Sequence, residues 1–235
     1  MFPLHDDNPT TLAPIVTVGL IVACTVVFLW QVGQSPAEQE RLVYALGLIP
    51  AVVFGKEALP PDLVMVPAKL TVLTSMFLHG GWLHLIGNML YLWIFGNNIE
   101  DSMGHGRFIV FYLLCGIAAA LAQSLPDPGS VVPMVGASGA IAGVLGAYLV
   151  LFPLARVLVL IPLGFLSRLI RVPAVIVLGF WFVLQFISGA SLAGNEGGVA
   201  YWAHVGGFIA GVILIVPFRR REFPLFGKPR RGPWG

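Results

Sequence analysis

Long apolar stretches alternate with short polar segments along most of the chain. The first covers residues 12–31 without a charge, and five more follow at about 82–98, 108–125, 135–153, 173–188 and 202–218. A helix of about 20 apolar residues crosses the hydrocarbon core of a bilayer. The pattern therefore predicts an all-α, polytopic membrane protein in which six spanning helices form a bundle.

The polar segments divide the chain into a short N-terminal tail (residues 1–11), a membrane domain (12–219) and a basic tail (220–235). Residues 32–77 are the one sizeable piece outside the predicted spans. Their short apolar stretches are interrupted by Pro50, Pro60 and Pro61 and are too short to cross a bilayer. We expect an interfacial, partly helical loop at the outer face.

Basic residues indicate the orientation. Arg107 follows the second stretch, Arg156, Arg168 and Arg171 follow the fourth, and six more lie at 219–231, whereas the loops after the third and fifth stretches contain none. Cytoplasmic loops of membrane proteins are enriched in Lys and Arg. We therefore expect both termini to be cytoplasmic.

Composition excludes several classes of protein. Hydrophobic residues make up 57% of the chain and charged residues only 10%, whereas soluble domains have about 25% charged residues. The net charge of +2 gives no basic footprint, so we expect no nucleic-acid partner. Cys24 and Cys115 lie within apolar stretches and are too few for a disulfide framework.

Polar side chains inside predicted spans are candidate functional residues, because they are costly in lipid. His79, His84 and Asn88 open the second span, the sequence Gly-Ala-Ser-Gly at 136–139 opens the fourth, and His204 opens the sixth. Even-numbered spans run in the same direction. These groups therefore lie at a common depth, near the outer face.

A serine within reach of a histidine forms a nucleophile and general base. Ser138 and His204 would fill these roles, and backbone, amide or imidazole N–H groups would stabilise the oxyanion. No Asp or Glu lies within the predicted spans, so the sequence offers a dyad and not a triad. Each residue taken alone also has an ordinary interpretation: helix packing for Ser138, an interhelical hydrogen bond for Asn88, and a loop contact for His79.

Three motifs, in order on spans two, four and six, resemble those of the rhomboid intramembrane serine proteases. They are His79-x4-His84-x3-Asn88, Gly136-x-Ser138-Gly139, and Ala203-His204 followed by Gly207 and Gly211. The resemblance covers residues 12–218 and extends to the six-span layout. It implies cleavage of transmembrane segments of single-span or polytopic membrane proteins within the lipid bilayer, without a metal or cofactor.

The resemblance also implies roles for individual residues. Ser138 would be the nucleophile and His204 the general base, and His84, Asn88 and the Ser138 backbone N–H would form the oxyanion hole. The supporting residues would be His79, Gly136 and Gly139. The fifth span, with Trp181 and Phe182, and the loop after it resemble the substrate gate of the family.

Two features depart from the family. Some members have an aromatic residue four positions after the nucleophile, packed on the base, where this chain has Ala142. The base must then be oriented in another way, and we expect packing against glycines. The loop before span two also lacks a Trp-Arg pair that some members place in their first loop. Neither departure removes a catalytic group.

Two other functions stay open. A catalytically inactive rhomboid-fold protein would bind transmembrane clients without cutting them, although such proteins would be expected to lack the serine or histidine. A small transporter or metal-conducting protein would use His79, His84 and His204, but it would lack the intramembrane carboxylates typical of cation pathways. The N-terminal tail has no transit-peptide composition, so we expect a bacterial plasma membrane. The sequence gives no oligomeric state.

Overall fold

The computed structural model describes residues 2–161, 167–191 and 200–227. Residues 228–235 of the predicted basic tail, and most of the loop after the fifth predicted span, lie outside the described residues. The helices are α1 (Ile15–Val32), α2 (Pro36–Leu46), α3 (Pro50–Val53), α4 (Thr71–Thr74), α5 (Trp82–Met103), α6 (His105–Ser124), α7 (Ser138–Leu151), α8 (Ala174–Ser191) and α9 (Tyr201–Phe218). The strands are β1 (Phe2–Asp6), β2 (Arg156–Ile161) and β3 (Arg168–Pro173).

Four of these helices, α1, α6, α8 and α9, are long and apolar enough to cross a membrane. A fifth candidate is a broken span, in which Ala68–Phe77 meets α5 at an angle of 81°. The fourth predicted span corresponds in the chain to α7, which has only 14 residues. The prediction of an integral multi-pass membrane protein is confirmed, whereas six spans and cytoplasmic termini stay predictions.

Helix α7 forms the centre of the bundle, since 12 of its 14 residues are buried. Small residues allow α9 to lie directly against it. A Cβ atom added at Gly207 would overlap the carbonyl oxygen of Gly139, and one added at Gly211 would overlap that of Gly143. Such close backbone approach is typical of helix pairs in membranes, where small residues line the interface.

The segment between α1 and α5 is partly helical, as predicted. It contains α2, α3 and α4, and short 3₁₀ turns at Pro61–Leu63, Ala68–Leu70 and Ser75–Phe77. Helix α2 begins where the sequence supplies both start signals. Pro36 occupies the first turn, and the Ser35 side chain accepts a hydrogen bond from the Glu38 backbone N–H.

The fold is mostly helical, and it also contains a three-stranded antiparallel sheet that the all-α prediction did not include. Strand β2 lies between β1 and β3, with Phe2 opposite Leu160 and Arg156 opposite Pro173. Residues 156–172 lie between the fourth and fifth predicted spans, where the arginines predict a cytoplasmic loop. Val157 and Val159 are fully buried on one face of β2, because alternate residues of a strand point to the same side.

Helix α5 continues five residues beyond the predicted end of the second span and therefore includes Glu100 and Asp101, both buried. The Glu100 carboxylate accepts hydrogen bonds from the backbone N–H groups of Val16 and Thr17. Asp101 accepts hydrogen bonds from the backbone N–H and hydroxyl of Thr11. The two carboxylates thus satisfy free N–H groups at and before the start of α1.

Candidate active site

Ser138 and His204 come from the first turns of two adjacent helices. Ser138 is the first residue of α7, and His204 lies in the first turn of α9. The glycine contacts between these helices bring the two side chains together, with Ser138 Oγ 2.8 Å from His204 Nε2. This is hydrogen-bond distance for a hydroxyl and an imidazole nitrogen, and it is the geometry of a nucleophile with its base.

The second imidazole nitrogen of His204 also has a partner. Its Nδ1 lies 2.7 Å from Gln185 Oε1, and the ring centroid of Trp181 is 5.8 Å from that of His204, tilted by 39°. Both partners belong to α8. Two residues of α8 therefore contact the imidazole, which the expectation of glycine packing did not include. Gln185 was overlooked, although an amide within an otherwise apolar predicted span is a signal of function.

His84 and Asn88 lie together on α5, near the start of α7. Gly136 allows this approach, since it has φ of +124° and a Cβ there would lie 2.7 Å from His84 Cε1 and Nε2. The side-chain nitrogen Nδ2 of Asn88 is buried and has no hydrogen-bond partner among the described residues. Because unpaired buried donors are rare, this N–H group is available to a bound ligand.

His79 and Gly139 have supporting positions. The His79 side chain is fully buried, with its ring centroid 5.2 Å from that of His84, and its backbone carbonyl accepts a hydrogen bond from Gln31. His79 therefore backs the His84 ring. A Cβ at Gly139 would lie 2.5 Å from the Cβ of Ala119, so this glycine allows α6 to pack against α7.

A cavity of about 1180 Å³ connects the two groups of polar residues. Ser138, His204, His84 and Asn88 all line it. Its wall also contains Tyr91, Gln123, Met134, Trp181, Gln185 and Trp202. Small-molecule pockets have roughly 300–1,000 Å³, so this cavity has room for a peptide segment beside the Ser138 hydroxyl.

Comparison with known proteins assigns the family. The model of the Rhomboid domain matches residues 68–221. Rhomboid protein 1, mitochondrial, of Saccharomyces cerevisiae is 34% identical over 196 residues, which are 74% of this chain and 52% of the yeast protein. Rhomboid protease GluP of Bacillus subtilis is 38% identical over 146 residues, 62% of this chain and 26% of GluP.

Rhomboid-like protein 11, chloroplastic, of Arabidopsis thaliana is 29% identical over 159 residues, which are 63% of this chain and 52% of the plant protein. The matched segment thus spans about half or less of the length of these three relatives. GluP is named as a protease, and the yeast and plant relatives are named as mitochondrial and chloroplastic proteins. The chain belongs to the rhomboid family of membrane proteins.

Proposed function

We propose that the chain is an intramembrane serine endopeptidase that cleaves transmembrane segments of other membrane proteins with a Ser-His dyad. The observation that carries the proposal is the 2.8 Å contact between Ser138 Oγ and His204 Nε2, at the wall of a cavity large enough for a peptide. Membership of a family with named proteases supports the same reaction class.

The reaction would proceed in two steps. As Ser138 Oγ attacks the scissile carbonyl carbon, its proton moves to His204 Nε2, and the resulting imidazolium then protonates the leaving amine as the C–N bond breaks. In the second step His204 takes a proton from water, which attacks the acyl-enzyme ester. The ester bond to Ser138 breaks, and the serine recovers its proton from His204.

The oxyanion would form on the α5 side of the cavity. The Asn88 amide supports this assignment, since its Nδ2 is buried and free of hydrogen bonds among the described residues. The His84 imidazole and the Ser138 backbone N–H would supply further donors, the latter as a free N–H at a helix N-terminus. Gly136 keeps the space beside His84 open.

The length of α7 supports cleavage inside the membrane. A helix of 14 residues is about 21 Å long, which is shorter than a hydrocarbon core of about 30 Å. If its Leu151 end reaches one interface, the Ser138 end lies below the other. In this proposal the dyad lies near the outer face of a bacterial plasma membrane and both termini are cytoplasmic. The substrates are single-span or polytopic membrane proteins.

The test is an incubation of purified protein in detergent with a labelled single-span substrate. We expect cleavage by the wild type, unaffected by a chelator, and none by Ser138→Ala or His204→Ala. Ser124→Ala is the matched control, because Ser124 is a buried serine on α6 that does not line the cavity. Cleavage that persists in folded Ser138→Ala would exclude the mechanism.

A fluorophosphonate probe on the same samples separates a poor substrate from an inactive protein. Labelling at Ser138 without cleavage would mean that the substrate was unsuitable. If the probe does not label the wild type, the chain is better described as a protein that binds transmembrane clients.

A further inference from the structure

We propose that Gln185 is a positioning residue that fixes the tautomer of His204. The amide oxygen Oε1 of Gln185 lies 2.7 Å from Nδ1 of the imidazole, while Nε2 faces Ser138 Oγ at 2.8 Å. The inference rests on the proposed function for its effect on catalysis. The tautomer itself is a property of the resting protein, and it can be measured without any reaction.

The tautomer of a neutral imidazole decides which of its two ring nitrogens can act as a base. One ring nitrogen carries a hydrogen and the other accepts one. His204 can accept the Ser138 proton only at an unprotonated Nε2, so the hydrogen must lie on Nδ1. An acceptor placed at Nδ1 selects this tautomer, and Gln185 Oε1 is the acceptor at that position.

A glutamine performs this task without a second buried charge. A carboxylate at the same place would lose its hydration among apolar helices, which is costly. The amide avoids this cost, but it has both a donor and an acceptor end. If its NH₂ group faced Nδ1, the ring hydrogen would move to Nε2, and Ser138 would lose its base.

Three residues of α8 at intervals of one turn form the face that holds the base. Trp181 stacks obliquely on the His204 ring, and Gln185 follows one turn later. Gly189 follows after another turn, where a Cβ would lie 3.2 Å from the Cβ of Tyr201. The small residue lets the start of α9 approach α8, which brings the amide within reach of the imidazole.

The consequence is that the orientation of the base depends on a lightly packed helix. Buried residues on α8 are limited to Ala174, Val177, Leu178 and Gly189. Ser138 and the oxyanion donors lie on α7 and α5, which are packed in the core. Docking of α8 against α9 would therefore control the histidine separately from the serine.

The test compares three variants with the wild type. Gln185→Met keeps the length of the side chain and removes the acceptor. Gln185→Glu keeps the acceptor and adds a charge. Leu184→Met is the matched control, because Leu184 is the preceding residue on α8 and points outward, 44% exposed. The first readout is the imidazole tautomer of His204, from nuclear magnetic resonance of isotope-labelled histidine, with His204→Ala identifying the signal. The second is the rate of fluorophosphonate labelling at Ser138.

We expect the Nδ1–H tautomer in the wild type, Leu184→Met and Gln185→Glu, and a shift toward Nε2–H in Gln185→Met. Loss of one buried hydrogen bond predicts labelling slower by about tenfold to a hundredfold in Gln185→Met. In Gln185→Glu the carboxylate stabilises the imidazolium, so the acid limb of the rate profile should move to higher pH. His84, the other histidine at the cavity, is unchanged in all variants and does not account for such a difference.

The outcomes separate the two proposals. A tautomer that depends on Gln185 in a protein that never labels would support the inference and refute the proposed function. An unchanged tautomer and labelling rate in Gln185→Met would refute the inference and leave the dyad in place. If Gln185→Met does not fold, an unshifted acid limb in Gln185→Glu would refute the inference instead.

Discussion

The distance between Ser138 and His204 depends on how closely α7 and α9 approach each other, and Gly211→Ala tests this dependence. Gly211 lies seven residues after His204 on α9, about 10 Å along the helix axis, and does not line the cavity. Its substitution therefore removes none of the proposed catalytic groups. Only the separation of the two helices changes.

The structure sets the size of the effect. A Cβ at Gly211 would overlap the backbone of Gly143, which has no side chain that could move away. Real Cβ atoms essentially never come within 3.0 Å of such atoms, so the helices must separate by roughly 1 Å. A displacement of about 1 Å at a catalytic group costs roughly a hundredfold in rate, and the hydrogen bond of 2.8 Å between Ser138 and His204 would be lost.

The assay is the rate of fluorophosphonate labelling at Ser138, with thermal unfolding in the same detergent. Overpacking a core lowers stability by about 1–3 kcal/mol, so we expect a folded variant that labels roughly a hundredfold more slowly. Gly19→Ala on α1 is the matched control, because nothing lies within 4 Å of a Cβ at that position. Labelling of folded Gly211→Ala at the rate of Gly19→Ala would refute the reasoning.

Three further predictions concern other parts of the molecule. Asn88→Ala should slow cleavage by about tenfold to a thousandfold, the effect of one oxyanion donor, and an unchanged rate would remove Asn88 from the oxyanion hole. Glu100→Gln places an amide against the N–H groups of α1 and should lower the free energy of unfolding by about 1–3 kcal/mol. Glu40→Gln, at an exposed position of α2, should change it by less than about 0.5 kcal/mol, and equal thermal unfolding of the two variants would refute the capping role. Burial raises the pKa of Asp6 above its ordinary 3.8, so the folded state binds the Asp6 proton more tightly than the unfolded state does. Protonation of Asp6 therefore stabilises the fold. This stabilisation is complete below pH 3.8 and is lost as the pH rises through the pKa of the folded state. Thermal unfolding measured from about pH 4 to about pH 7 should show a loss of stability in the wild type and a smaller loss in Asp6→Asn. Identical pH profiles of the two proteins would contradict the assignment to Asp6.

Much of the helical framework could be predicted because a bilayer imposes a length of about 20 apolar residues on a spanning helix. The predicted start of the fifth span differs from α8 by one residue, and the predicted end of the sixth span coincides with the end of α9. The fourth stretch was predicted too long. Residues 135–137 are small or apolar, but the helix begins only at Ser138, since Gly136 adopts a positive φ that a helix does not allow.

The sheet could not be predicted from local patterns. Strand β1 has only five residues, and its partner β2 lies about 150 residues further along the chain. Such long-range pairing leaves no periodic signal in a short tail. The alternation of Val157 and Val159 was present, but the flanking arginines gave a stronger signal of membrane topology. Asp6 shows what the pairing achieves, since its carboxylate accepts hydrogen bonds from Asn98 and Tyr148 and so attaches the tail to the helices.

Gln185 is a residue of the site whose partner hydropathy alone does not predict. The buried positions of α8, at residues 174, 177, 178 and 189, recur at helical spacing, and Gln185 lies on the same stripe. The amide was visible in the sequence within an apolar span, and a buried amide needs a polar partner. The identity of that partner depends on the rotation and crossing of α8 against α9, which hydropathy does not determine. A rotation by one residue, about 100°, would present the exposed Phe186 to His204 instead. The packing around Gly189 sets this rotation, so the geometry of the base follows from tertiary contacts that lie outside the catalytic motifs.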